Sequence, residues 1–154
     1  MICVLQRVKK ASVSVDGSVI GSCGKGLLAL VCAVKGDTEE ITRKMADKVL
    51  KMRIFEDADG KMNLSPCDVN AEMLAVSNFT LCASCRKGTR PDFFNAERPP
   101  LAKELYELFV RCINEGGIKT ETGEFGADMS ISTELDGPVT IILDSEKDIS
   151  APRK

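Results

Sequence analysis

The sequence predicts an α/β domain with mixed or mainly antiparallel β-sheets and two main helices. Three observations carry this reading. About six or seven strand-like segments are present, several of them consecutive and joined by hairpin turns. Two longer segments repeat apolar residues at helical spacing. The length of 154 residues, with 44% hydrophobic and 29% charged side chains, fits one domain able to bury roughly 70% of its unfolded-chain surface.

Ile2 to Val15 reads as a strand, with β-branched residues and period-two stretches such as Val13 and Val15. Asp16-Gly17 is a hairpin turn, since both residues tolerate positive φ, and Ser18 to Gly21 returns the strand. Leu27 to Val34 is apolar throughout, as expected of a strand covered on both faces. Asp37 opens a helix, with Glu40 completing a capping-box pattern and Ile41, Met45 and Val49 on the buried face. Arg43, Lys44, Lys48 and Lys51 lie on the opposite face and read as solvated.

Arg53 to Glu56 suggests a short strand closed by Asp59-Gly60, and Met73 to Ala83 a longer one. Ser77, Asn78 and Thr80 interrupt this second apolar run. Polar groups in a buried strand are costly unless satisfied, which makes the interruption a candidate site. Cys85 to Asn95 has loop character and carries Arg86, Lys87 and Arg90, the densest exposed basic cluster near that site.

A second helix runs from Pro99-Pro100 to Gly116-Gly117, with Leu101, Leu105, Leu108, Phe109 and Cys112 as its stripe. Ile118 to Asp144 reads as strands, with turns at Gly123 and Asp136-Gly137-Pro138. Residues 1–144 form one domain, and the polar residues 145–154 are expected to be a loosely held tail.

Composition excludes several chemistries. There is no histidine, so Ser-His-Asp and Cys-His systems, His-ligated zinc and imidazole acid–base catalysis are absent from the chain. Seven cysteines, an odd number without a preceding secretory signal, argue against a disulfide framework. Cys82-Ala83-Ser84-Cys85 is the only C-x-x-C, and a redox or metal role would want further ligands. The longest apolar run is too short for the ~20 residues that span a bilayer, so a cytoplasmic protein is expected.

Ser77-Asn78-Phe79-Thr80-Leu81 and Asp136-Gly137-Pro138-Val139-Thr140 resemble the two signatures of the D-aminoacyl-tRNA deacylases. The resemblance continues through Gln6-Arg7-Val8, Arg53-Ile54-Phe55, Gly60 to Leu64 and Gly123 to Met129, at matching spacings. It implies a barrel-like fold of that family and a homodimer. The implied reaction, needing no cofactor and no metal, hydrolyses the ester between a D-amino acid or glycine and the 3′-terminal adenosine of tRNA. Such quality control clears mischarged tRNA before translation.

On the resemblance, Ser77, Asn78, Phe79 and Thr80 carry the reaction, with backbone amides near Phe79 and Thr80 forming an oxyanion hole and the tRNA 2′-hydroxyl assisting water. Gly137-Pro138, held cis, enters the partner's pocket and rejects L side chains, and Arg7 braces it. Phe125 and Met129 match positions lining the pocket, although ordinary core packing explains them equally well. Arg86, Lys87 and Arg90 would meet tRNA, as local basic patches do even in a chain of formal charge −2.

Two positions depart from the family pattern: Asn78 stands for glutamine, and Leu135 for an asparagine before Gly-Pro. A related deacylase with relaxed chirality acting on L-alanyl-tRNA is therefore one alternative. A cysteine-based redox or zinc protein centred on Cys82 and Cys85 is another. A dimeric binding module without turnover is a third.

Overall fold

Fourteen consecutive residues, Ile2–Val15, form strand β1, and every other large strand is arranged around it. The computed structural model describes residues 1–149. β1 pairs antiparallel with β2 (Ser18–Cys23), β3 (Gly26–Cys32) and β8 (Ser130–Asp144). Parallel pairing then adds β6 (Glu72–Ser77) to β3 and β7 (Thr120–Thr122) to β6. A separate pair joins β4 (Phe55–Glu56) to β5 (Met62–Leu64). The mixed sheet and its helices match the α/β fold expected from the strand pattern.

The sheet curls until β2 approaches β7, giving a nearly closed barrel. Gly21 makes this approach possible: a Cβ there would sit 2.4 Å from the Thr122 carbonyl oxygen. Val8, Val13, Leu28, Leu74 and Val76 fill the barrel interior. The opposite face of the sheet packs on helices α1 (Glu39–Leu50) and α2 (Leu101–Glu115), through Leu5, Leu27, Met45, Met73, Leu105 and Phe109.

The Asp16-Gly17 turn forms as predicted, with φ of 50° and 80°. Elsewhere the boundaries differ for identifiable reasons. Thr38, not Asp37, caps α1, its side chain accepting from the Ile41 N–H. Asp37 is buried instead, and its carboxylate accepts from the Val34 N–H and the Met1 amino group. Leu101 faces solvent, while Ala102, Tyr106 and Ile113 join Leu105, Leu108 and Phe109 on the buried side of α2. Residues 145–148 are not a loose tail. They form the short helix α3 (Ser145–Asp148), and the Ser145 hydroxyl accepts from the Met1 amino group. The remainder of the predicted tail lies outside the described residues.

The largest difference concerns Asp136-Gly137-Pro138. It is not a hairpin turn but a bulge within β8, which pairs with β1 on both sides of it. Gln6 faces Thr140 and Val8 faces Leu135, so a two-residue step on β1 is matched by a five-residue step on β8. The surplus residues leave the ladder as a protruding loop. β8 pairs only with β1, leaving its other edge open along the strand.

Candidate active site

β3 and β6 run parallel, with Val31 opposite Ser77, so both end at the same rim of the barrel. Beyond Ser77 the chain does not continue as the expected strand to Ala83. It turns into a 3₁₀ helix over Phe79–Cys82. The Asn78 N–H donates to the Val31 carbonyl at 2.9 Å and pins the turn. The Asn78 side-chain oxygen then caps the new helix, accepting from the Thr80 N–H at 3.2 Å and from the Thr80 hydroxyl. Such a local side-chain acceptor competes with the strand ladder, which is why the strand stops here.

This turn forms one wall of a cleft of about 920 Å³. Ser77, Asn78, Phe79 and Thr80 line one side, and Phe125 and Met129 another. Six of the residues singled out in the sequence thus converge. The Met129 sulfur lies where a side chain at position 123 would be: a Cβ on Gly123 would come within 2.5 Å of it. Phe93, Phe94 and Tyr106 complete the aromatic lining and were not anticipated as site residues. Phe93 meets Phe79 edge-to-face at 5.1 Å, and the Tyr106 hydroxyl donates to the buried Ala75 carbonyl at 2.8 Å. The adjacent Phe93-Phe94 pair, inside a basic and proline-bearing loop, was the available signal.

The geometry narrows the chemistry. Asn78 N–H and Thr80 N–H are both committed to acceptors within the turn. Among the described residues no hydrogen bond occupies the Phe79 N–H, leaving it as the turn's available donor for an incoming oxyanion. The Thr80 hydroxyl gives its proton to Asn78, and among the described residues no hydrogen bond joins it to a basic side chain.

Arg7, Gly137 and Pro138 do not line this cleft. Arg7 is buried on β1, where Nη1 donates to the Ile54 carbonyl at 2.8 Å and Nε lies 3.3 Å from the Asp136 carbonyl oxygen. Its ion partners are Asp136 at 3.2 Å and Glu56 at 3.8 Å. The Gly137-Pro138 peptide is cis, and Gly137 has φ of 127°. Arg86, Lys87 and Arg90 project into solvent from a loop whose base is closed by pairing of Ser84 with Asp92. They stand outside the cleft.

Cys82 and Cys85 do not act as a matched pair. Cys85 is exposed, whereas Cys82 is buried with its sulfur 2.9 Å from that of Cys32. Burial pushes the thiols of both Cys32 and Cys82 up, so they stay protonated at neutral pH.

Residues 4–144 match the family model described as D-Tyr-tRNA(Tyr) deacylase. The chain belongs to this deacylase family. A D-aminoacyl-tRNA deacylase of Lactobacillus acidophilus is 55% identical over 141 residues, covering 92% of this chain and 97% of the relative. The Aquifex aeolicus deacylase is 53% identical over 147 residues, covering 96% and 99%. A solved structure described as a c-Myc DNA unwinding element binding protein has the same fold, with a TM-score of 0.87 and 37% identity, covering 94% of this chain and 98% of that one. Membership extends across both signatures and the whole barrel of this deacylase chain. None of its described helices is long and apolar enough to cross a membrane.

Proposed function

We propose that the chain hydrolyses the ester of D-aminoacyl-tRNA, and of glycyl-tRNA, in the cytoplasm. The observation that supports this most strongly is the cleft at Ser77 to Thr80 in a chain of the deacylase family. Its depth and aromatic lining suit a terminal adenosine, with Phe125 and Met129 against the base. Ser77, whose hydroxyl has no partner among the described residues, orients the aminoacyl end or the attacking water.

The chemistry is carried by the backbone and by the substrate. An aminoacyl ester is already activated, so a single well-placed N–H, worth ~3–4 kcal/mol to a developing oxyanion, is a substantial contribution. Phe79 N–H fills that role, and the tRNA 2′-hydroxyl assists the water. Asn78 holds the turn that aims Phe79 instead of touching the ester. Thr80 as a nucleophile lacks a base to accept its proton.

The active unit is a homodimer. The open edge of β8 and its exposed Ile131, Leu135 and Ile142 supply a surface for a second copy. In that assembly Gly137-Pro138 of one protomer enters the other's cleft, and its rigid carbonyls collide with an L side chain while D side chains and hydrogen fit. Arg86, Lys87 and Arg90 meet the acceptor arm. Residues 1–144 make up the deacylase domain.

The test is release of amino acid from D-tyrosyl-, L-tyrosyl-, L-alanyl- and glycyl-tRNA, with and without chelator. Chelator-resistant release from the D-tyrosyl and glycyl forms is expected. Binding without turnover, or equal release from the L forms, would overturn the reading.

A further inference from the structure

Phe94 is 72% exposed, the most exposed large apolar side chain among the described residues. It stands on the cleft rim, next to Phe93, which packs on Phe79. Its position is firmly held: the Phe94 N–H donates to Asp92 Oδ1 at 2.8 Å, and the Lys35 N–H donates to the Asn95 carbonyl at 2.9 Å. Pairing of Val34 with Ala96 fastens the same two segments. The Lys35 ammonium consequently sits 3.4 Å from the Phe94 ring centroid. Arg98 adds a second exposed cation on the same rim.

We infer that Phe94 and Lys35 form a subsite for the nucleotide 5′ to the terminal adenosine, the base stacking on Phe94 and its phosphate meeting Lys35. This rests on the deacylase reading and extends it from the terminal nucleoside to the single-stranded end of the tRNA. On that reading, with Phe125 and Met129 against the last base, the strand continues from the cleft across its rim. An aromatic face beside a cation is the combination that binds single-stranded nucleic acid without regard to base identity. The subsite would retain whole tRNA and contribute far less to a lone aminoacyl-adenosine.

Two substrates separate these cases: D-tyrosyl-tRNA and 3′-D-tyrosyl-adenosine. F94A is expected to lower kcat/KM on the tRNA by about 5- to 150-fold, the range of one lost base stack, and to cost the adenosine ester far less. K35A should act in the same direction and flatten the salt dependence. F94W should restore the loss.

Binding of the trinucleotide CCA against adenosine monophosphate provides a readout that needs no turnover. Wild type should prefer CCA, and F94A should lose the preference. Equal loss on both substrates, no loss on either, or a change in oligomeric mass of F94A would overturn the subsite. Failure of wild type to hydrolyse either substrate would instead refute the deacylase reading, and CCA binding would still decide the subsite.

Discussion

Arg7 and Asp136 meet twice. Arg7 Nε lies 3.3 Å from the Asp136 backbone oxygen and 3.2 Å from its carboxylate. The same guanidinium donates to the Ile54 carbonyl, so one side chain ties the β8 bulge to the segment preceding β4. A fork of fixed donors suits this task, and a lysine could not reach both carbonyls.

Removing that tie should loosen the bulge. Arg7→Ala is expected to cost about 1–3 kcal/mol, because the buried Ile54 carbonyl loses its donor. It should also raise hydrolysis of L-tyrosyl-tRNA relative to the D form. Urea unfolding and the D/L rate ratio check this. Unchanged stability and an unchanged ratio would show that Arg7 does not brace the bulge.

Thr80 and Asn78 should separate. With its proton committed to Asn78 and no hydrogen bond to a basic side chain among the described residues, the Thr80 hydroxyl does no chemistry, so Thr80→Ala should stay within about tenfold of wild type. Asn78→Ala removes the cap of the 3₁₀ turn and should cost about 1 kcal/mol, with a fall in kcat as Phe79 loses its orientation. Single-turnover rates decide. A loss above about three orders of magnitude in Thr80→Ala would reinstate a nucleophile.

The basic loop gives a third expectation. Replacing Arg86, Lys87 and Arg90 together by alanine should weaken tRNA binding. Each lost phosphate contact should lower the slope of log affinity against log salt by about 0.7–0.9. The D/L ratio should not move, because these side chains stand outside the cleft. Identical affinity and slope would make the loop an ordinary solvated turn.

Buried thiols set the alkaline limit of stability. Burial raises Cys3 from 9.0 to about 12 and Cys23 from 9.0 to about 11, and also pushes Cys32 up. The unfolded chain therefore loses these protons first. Stability is fully present below about pH 9 and falls as pH rises towards the folded values, by up to about 1.4 kcal/mol per pH unit for each thiol. Urea midpoints from about pH 8 to about pH 10.5 should show the decline, and Cys3→Ala should make it shallower. A slope identical in the variant would contradict the assignment to Cys3.

Local chemistry was legible in the sequence where local forces decide. Asp16-Gly17 sets its own φ angles, and the β3 apolar run and the α1 stripe declare their burial. What escaped depends on distant partners. Asp37 has the residue type of a cap but is recruited by Met1 and Val34, which leaves Thr38 to cap α1. Asp136-Gly137-Pro138 has turn composition, yet β1 is long enough to pair with β8 on both sides and converts the turn into a bulge. Within the candidate site, Ser77 to Thr80 stood out because their types and order are specific, and the fold brings them to one cleft. Phe94 was missed because an exposed aromatic in a loop has no periodic signal.

The central claim is that each cleft is guarded by the partner's Gly137-Pro138, and mixing two damaged protomers tests it most directly. Gly137→Ala distorts the bulge, since its Cβ would come within 2.8 Å of the Val139 nitrogen at a φ of 127°. Ala127→Trp fills the cleft that Ala127 lines and leaves the bulge untouched. Each variant alone should lack D-selective deacylation, the first through its gate and the second through its cleft. Refolded together, they should form mixed dimers in which one open cleft meets one intact gate, recovering D-selective hydrolysis at about a quarter of all sites. A D/L rate ratio in the mixture clearly above that of Gly137→Ala alone, with activity above that of Ala127→Trp alone, is the predicted result. A mixture no more active or selective than its separate components would contradict a gate acting between protomers.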